Sequence, residues 1–270
     1  MTELFSVKNK VILFTGGCGI LASCMAKHFA KEGARIVVLD RVDDKGAELV
    51  SEIKSAGGEA AYFHTDVLNR EVLEKNCADI LALYGTIDVL VNAAGGNQAG
   101  ATIPPDKTFY DLQLDAFRGV VDLNLFGTVL PTQVFSVPMA EKKAGVILNI
   151  SSETSLRPLT RVVGYGCAKS AINSFTKFMA GELAIKFGEG LRVNAIAPGF
   201  FLTDQNRALM SNPDGTPTDR CKSIVAHTPF GRLGEPEELL GTVQWLISDA
   251  SKFVTGVVVP IDGGFDAFSI

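Results

Sequence analysis

Positive charge is in short supply in this sequence. Against 30 Asp and Glu the chain sets only 25 Lys and Arg, a formal charge of -5. It therefore lacks the basic field that holds a phosphate backbone, and nucleic acid is not an expected partner. Cysteine is sparse and irregular: Cys18, Cys24, Cys77, Cys167 and Cys221 form an odd set with no CxxC or CxxxC spacing. That argues against a disulfide framework or metal site, and the five read as small hydrophobes. A membrane span is not expected either, because the uncharged run 11–26 is shorter than a bilayer crossing and is broken by Gly16, Gly17 and Gly19. The opening MTELFSVKNK mixes both signs of charge and leads to no small-residue cleavage pattern, so the expected location is the cytoplasm. No repeat, low-complexity tract or Pro/Gly/Ser linker divides the 270 residues, and one domain, 1–270, is expected.

What the chain does have is apolar substance, 47% hydrophobic against 20% charged, enough for a large core. Short β-branched runs at 10–15, 35–40, 60–65, 87–92, 145–151, 192–197 and 257–261 read as seven strands. Most are continuously apolar, the signature of strands covered on both faces, so the sheet should be parallel. Helical stretches at about 19–32, 43–56, 69–84, 108–143, 163–188 and 236–248 lie between them, long enough for right-handed crossovers. The expected fold is α/β, a doubly wound Rossmann arrangement with helices on both faces of a seven-stranded parallel sheet. Residues 200–236, rich in Gly and Pro and without a strand signal, read as a lid over a substrate.

The first strand runs into TGGCGILA, in which Gly17-Cys18-Gly19-Ile20-Leu21-Ala22 fits G-x-G-x-x-A. Small residues at a strand-to-helix turn, here Gly16, Gly17 and Gly19 before Ile20, let backbone approach a pyrophosphate at a helix N-terminus. The second strand ends at Asp40, whose carboxylate can accept from both hydroxyls of an adenosine ribose and would repel a 2′-phosphate; only the adjacent Arg41 opposes it. NAD is thus expected over NADP. Asp66 and Val67 after the third strand, and Asn92, Ala93, Ala94 and Gly95 at the end of the fourth, also fall at carboxyl ends, where open α/β sheets bind ligands.

At this point the sequence resembles the classical short-chain dehydrogenase/reductases over essentially its whole length. Tyr165-Gly166-Cys167-Ala168-Lys169 matches the family's YxxxK, with Ser152 before it at the family's spacing and Asn124 in Asn124-Leu125-Phe126-Gly127. Asn92-Ala93-Ala94-Gly95, Pro198-Gly199 with Thr203, and Asp262-Gly263-Gly264 follow in family order. The resemblance implies that Tyr165 is the acid/base, Ser152 a hydrogen-bond partner of the substrate oxygen, Lys169 a ligand of the nicotinamide ribose, and Asn124 the holder of a relay water. It also implies cofactor contacts from Tyr165, Lys169, Pro198, Gly199 and Thr203, and a homotetramer. Tyr165 and Lys169 lie one helical turn apart and share a face. Lowering a tyrosine from about 10 to about 7 needs roughly 4 kcal/mol, which an ammonium at about 4 Å in an effective dielectric near 20 supplies.

The glycine loop departs from the family's TGxxxGxG, its second glycine arriving one residue early. That shortened loop, RPLTR at 157–161 and PGFFLT-x-QNR at 198–207 resemble a subgroup of D-mannonate (fructuronate) oxidoreductases. A sugar acid needs a cation for its carboxylate and polar partners for its hydroxyls. Asn97, Arg157, Arg161, Gln205, Asn206 and Arg207 are the candidates, with Gln98 and His227 as further hydroxyl partners and His28 structural. The alternatives are a gluconate 5-dehydrogenase, a 3-oxoacyl-carrier reductase, or a nucleotide sensor that has lost the chemistry. The partner expected is thus a small molecule.

Overall fold

The structure, a computed structural model, describes residues 3–203 and 206–267. Seven parallel strands form one sheet in the order β3-β2-β1-β4-β5-β6-β7. They are β1 (Val11–Thr15), β2 (Arg35–Asp40), β3 (Glu59–His64), β4 (Val89–Asn92), β5 (Gly145–Ile150), β6 (Leu191–Pro198) and β7 (Val258–Ile261). The continuous apolar runs are explained by two cores. Ile12 and Phe14 of β1 and Ile36 and Val38 of β2 pack on one face with α1 (Ile20–Lys31), α2 (Asp43–Ser55) and α9 (Leu240–Ile247). Their neighbours Val11, Leu13, Val37 and Leu39 pack on the other with α3 (Arg70–Tyr84), α5 (Gly127–Glu141) and α6 (Val163–Phe187). Period-two alternation thus persists, with both sets apolar. Strand order reverses between β1 and β4, which opens a crevice at their carboxyl ends.

One expectation is corrected. The stretch 108–143 is not one helix: after an irregular segment, α4 (Leu114–Val121) passes through a π-helical turn (Asp122–Phe126) into α5. The side chain of Asn124 causes the change. Its Nδ2 donates to the Val120 carbonyl at 2.8 Å, the bond an α-helical backbone N–H would make. This run, Leu114–Glu141, is among the described residues one helix long and apolar enough to cross a membrane, and half of its most apolar window is buried. Its uncharged stretch 123–140 exceeds the run 11–26.

Residues 200–236, where the sequence shows no strand and a lid is expected, have structure of their own. They hold α7 (Arg207–Met210), α8 (Asp219–His227) and bridges Phe201–Gly234 and Ser211–Pro217. Met210, Cys221 and Ile224 make a small core with Phe265 from beyond β7. Burial of these few side chains, too short a run to show a period, holds the segment together.

Candidate active site

The crevice is built where β1 meets β4. Thr15 Oγ1 at the end of β1 accepts the backbone N–H groups of Ala93 and Ala94, each at 3.1 Å, and so fixes the two strand ends together. Gly16 then turns the chain with φ +60°, and a Cβ on it would lie 2.7 Å from Ala94 Cα. Gly19 caps α1 without a side-chain hydrogen bond, and no acidic residue occupies the first turn. The result is a cleft of ≈ 380 Å³. Of the residues nominated from the sequence, Gly16, Gly19, Ile20, Asp40, Val67, Ala93, Ala94, Gly95, Pro198 and Thr203 line it.

Four predicted residues stand behind that wall. A Cβ on Gly17 would meet Val38 and Phe14, one on Gly199 would meet Asp262, and Asp66 accepts the Leu68 N–H at 3.0 Å in a turn. Asn92 is buried beneath, donating to Thr132 at 3.0 Å and to Asn149 at 2.9 Å. The carboxylate of Asp40 accepts N–H bonds from Cys18, Arg41 and Val42 at 3.0, 2.7 and 3.2 Å. Burial and the Asp40 charge push the Cys18 thiol up to about 12, so it is held as the neutral thiol. Lys45 also lines the cleft and was missed from the sequence. Its place in the first turn of α2, just after β2, was the available signal.

Deeper in, Ser152 opens the turn after β5, its Oγ accepting the Thr154 N–H at 3.3 Å. Tyr165 lies in the first turn of α6. Lys169 is 4% exposed, with Nζ 2.7 Å from the Ile150 carbonyl and 5.4 Å from the centre of the Tyr165 ring. Asn124, presented by the π-helical turn, clamps Gly96 by accepting its N–H at 3.2 Å and donating to its carbonyl at 2.7 Å. A Cβ on Gly95 would meet Asn124 Oδ1 at 2.6 Å and Lys169 Nζ at 3.4 Å, so both polar heads crowd the same glycine. The structure therefore brings Asn124, Ser152, Tyr165 and Lys169 together beside the cleft.

The electrostatics differ from the sequence expectation. Burial raises Tyr165 above its ordinary value, with the Ser152 hydroxyl acting in the opposite sense, and burial lowers Lys169 to about 8. Lys169 is not among the causes of the Tyr165 shift, and its own charge is desolvated.

The substrate candidates separate. Arg157 Nε binds Asp266 at 2.8 Å. Asn97 donates to Thr102 at 3.2 Å and accepts the Gln98 N–H at 2.9 Å. Asn206 is engaged in the local turn, accepting from Thr203 N at 2.8 Å and donating to the Phe201 carbonyl at 2.7 Å. Arg207 is exposed on α7, and Gln205 lies outside the described residues. Arg161 sits in the left-handed region with φ 79° and faces a second cavity together with His227. Two residues not singled out from the sequence stand out: Arg220, on that same cavity, and Glu153, 1% exposed beside Ser152.

A family model described as enoyl-(acyl carrier protein) reductase matches residues 19–266. The chain belongs to the short-chain dehydrogenase/reductase family and is an oxidoreductase. It is 43% identical to an uncharacterized oxidoreductase, UxuB, of Bacillus subtilis, over 98% of this chain and 97% of that one. It also resembles the crystal structure of a provisionally named D-mannonate oxidoreductase of Haemophilus influenzae with bound NAD, at 41% identity and TM-score 0.91, covering 98% and 97% of the two chains. A gluconate 5-dehydrogenase of Burkholderia cenocepacia in complex with NADP and tartrate shows 29% identity and TM-score 0.88 over 99% of each chain.

Proposed function

We propose that this protein is an NAD-dependent dehydrogenase that interconverts a secondary alcohol and a ketone on a sugar acid of the D-mannonate/D-fructuronate type. The observation that carries the reading is the convergence of Asn124, Ser152, Tyr165 and Lys169 beside a cleft floored by glycine. The cleft suits a dinucleotide. Gly16 gives the backbone a close approach, the uncapped start of α1 offers N–H groups and positive dipole to a pyrophosphate, and Asp40 faces where ribose hydroxyls would lie. A bound NAD supplies a hydride acceptor and, in its oxidised form, a positive charge.

In oxidation, Tyr165 Oη takes the proton of the substrate hydroxyl, and in reduction it returns that proton to the developing alkoxide. Ser152 Oγ donates a hydrogen bond to the same substrate oxygen and holds it within reach of the phenol. Lys169 Nζ, fixed by Ile150, presents positive charge to the face of the tyrosine. Asn124, by clamping Gly96, fixes the strand end that carries Gly95 against Lys169. We further propose that the chain works as a homotetramer, supported by the exposed apolar side chains Leu114, Phe126, Val137, Phe178 and Ile185 on α4, the π-helical turn, α5 and α6.

The identity at 41% to the NAD-bound structure supports both the cofactor and the substrate class over a gluconate or acyl-carrier reading. NADH formation from NAD, measured across aldonates, neutral polyols and acyl thioesters, tests the assignment. D-mannonate should be the fastest donor, and Tyr165→Phe should lower kcat by at least about 10³ while NAD affinity changes little. Turnover retained by the phenylalanine variant would remove Tyr165 from the proton transfer.

A further inference from the structure

Arg161 and Arg220 both line the second cavity, of ≈ 430 Å³, and neither has an acidic partner among the described residues. Arg220, in the first turn of α8, gives two of its N–H groups to Thr160, at 3.1 Å to Oγ1 and 3.2 Å to the carbonyl. The remaining donors of its fork stay available. Arg161 comes next in the chain after that threonine, its carbonyl taken by Ile103 N–H at 2.9 Å. Burial, then the Arg161 charge, depress Arg220 below its ordinary value, as expected for a cation confined beside another cation. Asp219 lines the same cavity, but its side chain is exposed and ion-paired with Lys222 at 3.1 Å. An arrangement of two planar donors, partly desolvated and lacking an anion, is completed by a carboxylate bound in bidentate fashion.

The location says which carboxylate. Arg161 stands four residues before Tyr165, in the left-handed turn that leads into α6, and Arg220 is anchored to the same segment through Thr160. We propose that Arg161 and Arg220 together seat the carboxylate of the substrate, with Arg220 of α8 a specificity-determining residue. The inference rests on the sugar-acid reading above and deepens it. Arg157, which sequence spacing nominates equally, is held by Asp266 and serves the C-terminal segment instead.

The experiment compares wild type with Arg161→Gln, Arg220→Gln and Arg220→Lys. Each glutamine variant should raise KM for D-mannonate roughly tenfold to a hundredfold. Over the same series kcat should stay within about threefold, with KM for NAD and the Tm of the protein unmoved. The lysine, which keeps charge but loses the fork, should fall between. D-mannitol, a neutral counterpart, should show no such dependence. Stabilisation by tartrate, read as a Tm shift without turnover, should be lost in both glutamine variants. Unchanged KM for D-mannonate in both would overturn the proposal. Should wild type oxidise no sugar acid, the functional reading falls and tartrate alone decides the seat: stabilisation lost in both variants keeps it, stabilisation retained in both overturns it.

Discussion

Glu153 is a carboxyl group that burial keeps protonated. Both oxygens are sealed from solvent, and burial, followed by the charges of Asp262 and Asp266, pushes the group up to about 8, Arg157 only partly offsetting them. The direction fixes a pH dependence. An acid raised in the folded state binds its proton there while the unfolded chain has already released its own, so folding is favoured below the ordinary glutamate value and the advantage is lost as pH climbs to about 8. Across that window the loss is about 1.4 kcal/mol per pH unit at most. Glu153→Gln keeps the shape and removes the titration. Between pH 6 and pH 8 the Tm of wild type should therefore fall several degrees more than that of the variant, at roughly 2–4 °C per kcal/mol for a chain near this size. Superimposable Tm–pH curves would show that Glu153 does not titrate in this range. From the sequence, Ser152 and Tyr165 were legible because their spacing is a local property. Glu153 was not, since its burial depends on a segment 109 residues beyond Arg157 that folds back over it.

Among the elements, the turn from β1 to α1 depends on two separable demands, and glycine answers both. Gly16 needs a left-handed backbone, as Gly57 does at φ +84°, but only Gly16 also has another strand end pressed upon it. A Cβ at Gly57 meets nothing, so Gly57→Ala should cost about 1 kcal/mol for the backbone alone. Gly16→Ala should cost that plus about 1–3 kcal/mol for displacing Ala94, and should weaken NAD binding by at least about tenfold. Urea unfolding and NAD titration of the two variants read the difference, and equal losses would mean that the close approach to Ala94 contributes nothing. The strands were readable as elements because most are apolar on both faces. The π-helical turn was not, since it follows from one side-chain amide, that of Asn124, taking a carbonyl the helix would use itself. The small helices α7 and α8 escaped for a related reason. Their core includes Phe200 and Phe265, whose rings meet at 5.2 Å from distant parts of the chain.

For the whole molecule, the two sheet faces are satisfied by helices, yet apolar side chains remain outside. Phe178 is 66% and Ile185 85% exposed on α6, both facing away from the sheet the helix covers. Burying such a side chain contributes about 2 kcal/mol, so a surface repeated by symmetry favours association. Size-exclusion chromatography with light scattering should find a tetramer, and the double variant Phe178→Glu, Ile185→Glu should elute as smaller species with its circular dichroism unchanged. A tetramer persisting in that variant would move the contact elsewhere. The ion pair between Arg157 and Asp266 has a consequence in time. Translation delivers Asp262 and Asp266 only after all seven strands have emerged, so the loop bearing Ser152 waits for its last support until synthesis has passed the sheet. The stretch of chain that completes the sheet thus also delivers the groups that brace the active-site loop.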